Sequence, residues 1–207
     1  MPKHSHIHIV NFRETLAAEC PWVRLSTTQV AKLEAQYELL KRWNPKLNLT
    51  GTLDIKKHFG ESLFLGAQMA GGTTVVDIGS GAGFPGVPLA ILRPDWRVTL
   101  VESDRRKSIF LRECADLVPN LSVLTVRAED LKGRFDWVVS RAVTQEFVAG
   151  VALAHGERIG MILRDAPVVV GIETETIQEL PWAGTGAVWI GRVNVHVEHL
   201  RGGVKKS

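Results

Sequence analysis

Cysteine is scarce in this chain of 207 residues: only Cys20 and Cys114, far apart and in no CxxC pair. Two such residues exclude a disulfide framework and a cysteine-rich metal site, and predict two reduced thiols and no bound metal. Long apolar runs are also missing, since none approaches the roughly 18 residues that cross a bilayer. The first residues, "MPKHSHIHIV", lack the apolar stretch of a secretory signal, so the expectation is a cytoplasmic protein. Internal repeats and low-complexity segments are absent. Strong charge of either sign is absent too, with a net +3 from 25 Lys+Arg against 22 Asp+Glu. So mild an excess permits an anionic partner such as nucleic acid without requiring one.

The remaining composition, 45% hydrophobic and 23% charged, is that of a globular protein large enough for one α/β domain with an appendage, or two small domains. From Ser26 onward, Val30, Leu33, Tyr37, Leu40 and Trp43 recur at helical spacing, and Ser26 with Gln29 has the spacing of a capping box. This predicts an amphipathic helix ending near "WNP", because Pro45 disfavours helical geometry at Asn44. A second, short helix is expected in "IKKHFGESLFLGAQMA", with Gly71-Gly72 as a boundary. Residues 1–71 thus form a small N-terminal helical region, and residues 72–207 a second domain. There, short apolar runs alternate with amphipathic segments, the pattern of a mostly parallel, doubly wound sheet. Strands are expected at 73–78, 97–102, 121–126, 135–141 and 158–163, with two more at 168–172 and 187–197.

The stretch "VVDIGSGAGFPGVPLA", 75–90, follows the first of these strands and reads in two registers. Gly79, Gly81 and Gly83 give GxGxG, whereas Gly81, Gly83 and Gly86 give the GxGxxG of a dinucleotide-binding turn. In such sheets ligands bind beyond the carboxyl ends of the strands, where this loop lies. Glu102, about 20 residues on at the end of the next strand, suits a carboxylate accepting from both ribose hydroxyls. Together they point to an adenosine-containing ligand, although a glycine-rich turn can also be no more than a tight connection.

Three features favour S-adenosylmethionine over a dinucleotide. Pro85 and Pro88 remove N–H donors from the helix start that pyrophosphate would use. Asp77 puts an acid beside the loop, which suits a cationic amino-acid moiety. Glu129, in "RAED" after the third strand, stands at the cofactor edge, where it can hold an adenine amino group.

These residues carry a specific resemblance. The pieces "KRWNPKLNLT" (41–50), "HFGESL" (58–63), "VVDIGSGAGFPGVPLAILRP" (75–94), "VESDRRKSIFLRE" (101–113), "RAED" (127–130) and "FDWVVSRAV" (135–143) occur in order, across half the chain. The sequence resembles the RsmG family, also called glucose-inhibited division protein B, whose members methylate guanine N7 in small-subunit (16S) ribosomal RNA. The resemblance implies a Rossmann-like class I methyltransferase fold with a sheet of about seven strands. It implies cofactor contacts from Gly79 and Phe84 at the methionine portion, Glu102 at the ribose, and Ala128 and Glu129 at the adenine. Arg141, in "SRA", resembles the family's functional arginine and would lie beside the transferable methyl. After the fifth strand, where the family usually has a "KG" pair, this chain has "LRDAPVVVG", so that Arg164 would stand for the lysine.

Guanine N7 has a lone pair and no proton, so its methylation asks for positioning and not for a catalytic acid or base, and none is assigned. RNA binding would draw on Arg127, Arg141 and Arg164, with Lys56, Lys57 and His58 from the helical region and Arg105, Arg106 and Lys107 after Glu102. His4, His6 and His8 alternate as metal ligands on a strand would, but a flexible terminus is the simpler account. Trp43, Trp137 and Trp189 fall in apolar patterns and are expected in or near the core, and the chain is expected to be a monomer. Two rival functions remain: a dehydrogenase using a nicotinamide dinucleotide, and a non-catalytic RNA-binding or ribosome-assembly factor of the same fold.

Overall fold

The computed structural model describes residues 11–194, apart from 142, 166, 168, 183 and 185. His4, His6 and His8, and the last residues of the seventh expected strand, lie outside the described residues.

Seven strands form one sheet in the order β3-β2-β1-β4-β5-β7-β6. They are β1 (Thr74–Ile78), β2 (Arg97–Val101), β3 (Leu121–Leu124), β4 (Phe135–Ser140), β5 (Gly156–Leu163), β6 (Ile172–Glu179) and β7 (Ala187–Val193). The first five run parallel, and β7 is antiparallel to both β5 and β6. Strand order reverses between β1 and β4, the switch point at which such sheets bind ligands.

Alternation along the strands divides the core. Val75, Leu100, Trp137 and Val139 meet one set of helices, while Val76, Val138, Ile159 and Met161 face the other side. The first face is covered by α1 (Phe12–Glu19), α2 (Thr27–Leu47), α3 (Glu61–Gln68), α4 (Gly86–Leu92) and α5 (Arg105–Leu117). The second is covered by α6 (Gln145–His155), through Val148 and Ala152. One continuous apolar cluster therefore joins residues on both sides of the 71/72 boundary. Trp137 and Trp189 are fully buried, as is Trp96, and Trp43 is partly buried against the same cluster. Cys20 and Cys114 are free and buried.

The capping box at Ser26 forms: its hydroxyl accepts from Gln29 N–H at 3.2 Å, and Gln29 Oε1 accepts from Ser26 N–H at 2.9 Å. Gln29 Nε2 also donates to the carbonyls of Ile91 and Leu92, so the start of α2 satisfies the end of α4.

Three expectations are corrected. Helix α2 continues through Pro45 to Leu47 and ends on left-handed Asn48, because the Asn44 amide clasps both N–H and C=O of Thr50 at 2.8 and 3.0 Å and holds the last turn. The second helix begins as a π-helical turn, Lys56–Gly60, before α3. The sixth strand lies at Ile172–Glu179 and not at 168–172, since "IETETIQE" is an exposed edge strand with no apolar run to announce it. Helix α1 is additional, started by Asn11, whose side chain accepts from Arg13 and Glu14 N–H.

Candidate active site

The glycine loop turns sharply over the end of β2: Gly79 and Ser80 N–H both donate to Val101 O, at 3.0 and 3.1 Å. Gly79 has φ +68, and a Cβ there would lie 2.7 Å from Val143 Cγ2, so backbone angle and space both require glycine. Gly81 N–H donates to Glu102 Oε2 at 2.9 Å, and Glu102 Oε1 accepts from Asp104 N–H at 2.8 Å. Loop and acid are thus fixed to each other before any ligand arrives.

The last glycine of the stretch, Gly86, serves packing. A Cβ there would fall 2.3 Å from Leu100 Cδ2, and its N–H donates to Asp77 Oδ2 at 3.1 Å. Val87 N–H donates to Gly83 O and Leu89 N–H to Pro85 O, while Pro88 has no N–H. The start of α4 therefore has no donor left for a pyrophosphate, which removes the physical basis of the GxGxxG register.

A cavity of about 220 Å³ opens beside the loop. Ile78, Gly79, Glu102, Arg127, Ala128, Glu129, Val143 and Phe147 are on its walls. Asp77 and Phe84 bound neither this cavity nor the next, but lie beneath the loop. Asp77 is wholly buried, its Oδ1 has no hydrogen-bond partner among the described residues, and burial raises its carboxyl to about 7 against the bond from Gly86. Phe84 is buried below His58, their rings stacked at 4.9 Å and 17°.

A second cleft, of about 760 Å³, shares Val143 with the first. Its walls include Thr50, Thr52, Lys57, His58, Glu61, Arg141 and Arg164. Arg141, just past the end of β4, is the centre of a partly buried network. Its Nη1 donates to Lys57 O at 2.9 Å, and Nη2 donates to His58 Nδ1 at 2.7 Å. Its guanidinium sits 5.1 Å from the Phe84 ring centroid, and 3.8 Å separates Nη1 from Glu61 Oε2. Burial lowers the pKa of Arg141, against the pull of Glu61 and Asp77.

Since Arg141 can only donate, His58 Nδ1 must accept, which puts the imidazole proton on Nε2. That atom lies 2.7 Å from Thr52 O and 3.0 Å from Thr50 Oγ1, both able to accept from it. Burial, then Arg141, pushes the His58 pKa down to about 4. His58 is therefore a neutral support for Arg141 and not the RNA-facing cation expected from the sequence.

The structure thus brings Gly79, Glu102, Arg127, Ala128 and Glu129 to one cavity, and Lys57, Arg141 and Arg164 to the adjoining cleft. Arg127, expected on the RNA side, is on the first cavity. Arg105 and Arg106 are exposed at the start of α5 and bound neither space, nor does partly buried Lys107. Thr50, Thr52, Glu61 and Phe147 are wall residues that sequence reasoning did not single out. For Thr50 and Glu61 the only signal was their place inside the quoted "NLT" and "HFGES" segments.

This sheet order, with a glycine loop after β1 and an acid closing β2, defines a class I, Rossmann-like methyltransferase. Solved structures agree on the fold. A mutant of MtNAS in complex with S-adenosylmethionine aligns with a TM-score of 0.54 at 18% identity, covering 80% of this chain and 72% of that one. A fibrillarin/Nop5p complex aligns at 0.51 and 12% identity, covering 66% and 81%. The family model for GidB, "rRNA small subunit methyltransferase G", matches residues 29–163, and the chain belongs to that family. A ribosomal RNA small subunit methyltransferase G from Chromobacterium violaceum is 38% identical over 152 residues, 69% of this chain and 72% of that one. One from Halorhodospira halophila is 36% identical over 178 residues, 77% and 84% of the two chains. The family match ends at the last residue of β5, so Arg164, β6 and β7 lie beyond it.

Proposed function

We propose that the chain is an S-adenosylmethionine-dependent methyltransferase that acts on guanine N7 of small-subunit ribosomal RNA. The observation that carries this reading is the pair of adjoining cavities, one walled by Glu102, Ala128 and Glu129 and the other by Arg141, meeting at Val143. The residues fit the cofactor. Gly79 leaves open a space that a Cβ would fill against Val143, and Glu102 retains a lone pair on each oxygen after its two backbone bonds. Glu102 would hold the ribose, and Ala128 with Glu129 the adenine. Gly79, Gly81 and Gly83 would form the methionine end, with Asp77 and Phe84 behind them and Arg141 beside it. When bound, the cofactor supplies an electrophilic methyl group on sulfur.

The chain's own part is to orient and to exclude water. Guanine N7 has no proton to lose, so the reading assigns no general base. Arg141, partly buried and fixed by two hydrogen bonds, presents a cation in the cleft wall without reorganising. Lys57 and Arg164 would neutralise phosphate at the mouth of the cleft, with Arg127 at the far side. Residues 1–71 would serve as the acceptor-side region and 72–207 as the cofactor-binding domain, in a cytoplasmic monomer that needs no metal. No helix among the described residues is long and apolar enough to cross a membrane.

The test is direct. Small-subunit RNA from cells with and without the gene is compared by mass spectrometry for N7-methylguanine, and the protein is titrated with S-adenosylhomocysteine and NAD in thermal-shift experiments. Loss of one methylated guanine and stabilisation by S-adenosylhomocysteine alone are expected. Unchanged RNA methylation would favour the assembly-factor reading, and stabilisation by NAD alone the dehydrogenase.

A further inference from the structure

Glu61 stands in an unusual position for a carboxylate. It is 7% exposed, at the first turn of α3, and it borders the 760 Å³ cleft. Its one charged partner among the described residues is Arg141, at 3.8 Å, which is too long for a hydrogen bond, and no described group donates a hydrogen bond to it. Two of the guanidinium's five N–H groups point instead to Lys57 O and His58 Nδ1, and none reaches Glu61 at hydrogen-bond distance. Its carboxylate oxygens are not among the buried side-chain atoms closed off from solvent, so they open to the cleft with about four acceptor sites available. Such a group, aimed into a cleft beside the proposed methyl site, is built to receive donors from a ligand.

We propose that Glu61 recognises the acceptor base by its Watson–Crick edge, taking the N1–H and N2 amino hydrogens of guanine. The inference rests on the functional reading above and adds to it the residue that sets base identity. Among the four RNA bases, only guanine presents two adjacent donors to a two-oxygen acceptor. Adenine offers an amino group beside the N1 acceptor, cytosine one beside N3, and uracil a lone N–H between two carbonyls. A flipped-out base is ordinarily identified along this edge, and a pairing with a charged acceptor is stronger than one between neutral groups. Held by that edge, guanine keeps N7, on its other ring, free to face the methyl donor. Burial raises the Glu61 pKa, while Arg141, Lys57 and Arg164 oppose the rise and favour the ionised acceptor.

The experiment compares equilibrium binding of GMP, IMP and AMP to the full chain saturated with S-adenosylhomocysteine, in wild type, Glu61→Gln and Glu61→Asp. IMP differs from GMP only by the N2 amino group. Wild type should prefer GMP over IMP and AMP by about tenfold or more, because a hydrogen bond to a charged group is lost. Glu61→Gln should erase the preference while S-adenosylhomocysteine affinity stays within about twofold, since the charge pairing and not the cofactor cavity is changed. Glu61→Asp keeps the charge and should retain part of the preference, which tests the idea even if Glu61→Gln fails to fold. Equal binding of GMP and IMP by wild type, no measurable binding of either, or a preference surviving in Glu61→Gln overturns the proposal. Any of these in a protein that still methylates ribosomal RNA leaves the functional reading intact. GMP preference in a protein that methylates no RNA would instead overturn that reading and leave the guanine pocket standing.

Discussion

Arg141 and His58 fix each other's chemistry: Nη2 of the arginine donates to Nδ1 of the imidazole at 2.7 Å, and both lie against the face of Phe84. The bond forbids a proton on Nδ1, and the ring is buried, so His58 stays neutral near physiological pH.

Protonating His58 must therefore oppose folding. Its pKa is about 4 in the folded chain against the ordinary histidine value of 6.5, so between these values the unfolded chain binds the proton and the folded one does not. This contribution is fully present above pH 6.5 and is lost as pH falls toward 4, a change on the order of 3 kcal/mol. Buried Asp77, raised to about 7, has the opposite slope over much of the same range, so wild type alone will not display the effect. In denaturant unfolding, His58→Gln should show a deficit against wild type that shrinks steadily from about pH 7 to pH 4. A pH-independent deficit would mean that folding leaves the His58 pKa unshifted, and a deficit that grows as pH falls would mean that His58 is charged in the fold.

Replacing Arg141 with lysine retains the charge and removes the fork. One ammonium on a flexible stem cannot reproduce the paired geometry to Lys57 O and His58 Nδ1. Arg141→Lys should slow methyl transfer to ribosomal RNA by about 100-fold, as for the loss of one preorganised electrostatic group, with S-adenosylhomocysteine affinity little changed. The split between turnover and cofactor binding is the readout, and an equal fall in both would move Arg141 into the cofactor cavity.

The two halves of this site differ in how far they could be read from the sequence. The glycine loop and Glu102 are 21 residues apart on consecutive parallel strands, and each strand is a short apolar run bounded by turn residues, so loop, acid and their meeting were legible. The same logic found β1 to β5 and failed at β6, where seven of eight residues are exposed and the run "ETET" reads as loop. His58 and Arg141 are 83 residues apart, on elements that meet only because α1 to α3 fold back on the sheet. No local spacing announces that contact, and a histidine beside two lysines reads as a cation until burial is known. Glu61 was hidden for the same reason. Its interest lies in what it does not bond to, and a sequence pattern does not record missing partners.

Glu102 has two tasks that substitution can separate. Its carboxylate holds the loop at Gly81 and the turn at Asp104, and each oxygen keeps a lone pair toward the cavity. Glu102→Ala should weaken S-adenosylhomocysteine binding by about 10- to 100-fold, as expected for losing charge-assisted hydrogen bonds. Glu102→Gln, whose amide nitrogen must face one of the two backbone N–H groups, should also lower the melting temperature of the ligand-free chain. Equal cofactor affinity in wild type and Glu102→Ala, measured by calorimetry, would remove Glu102 from the ribose.

Gly79 and Val143 make the last case, because two distinct costs meet at one position. Alanine at 79 must adopt φ +68, a strain of about 1 kcal/mol or more, and its Cβ must also fit 2.7 Å from Val143 Cγ2. Gly79→Ala should therefore destabilise the chain and nearly abolish S-adenosylhomocysteine binding, since both residues line the same cavity. Val143→Ala removes the colliding methyl but cannot change the backbone angle. The double variant should thus recover part of the lost melting temperature and stop short of Val143→Ala alone by the backbone term. Full recovery would mean that the left-handed turn carries no strain here. No recovery would mean that Val143 is not what crowds position 79, and that the loop meets the junction of the two cavities in another way.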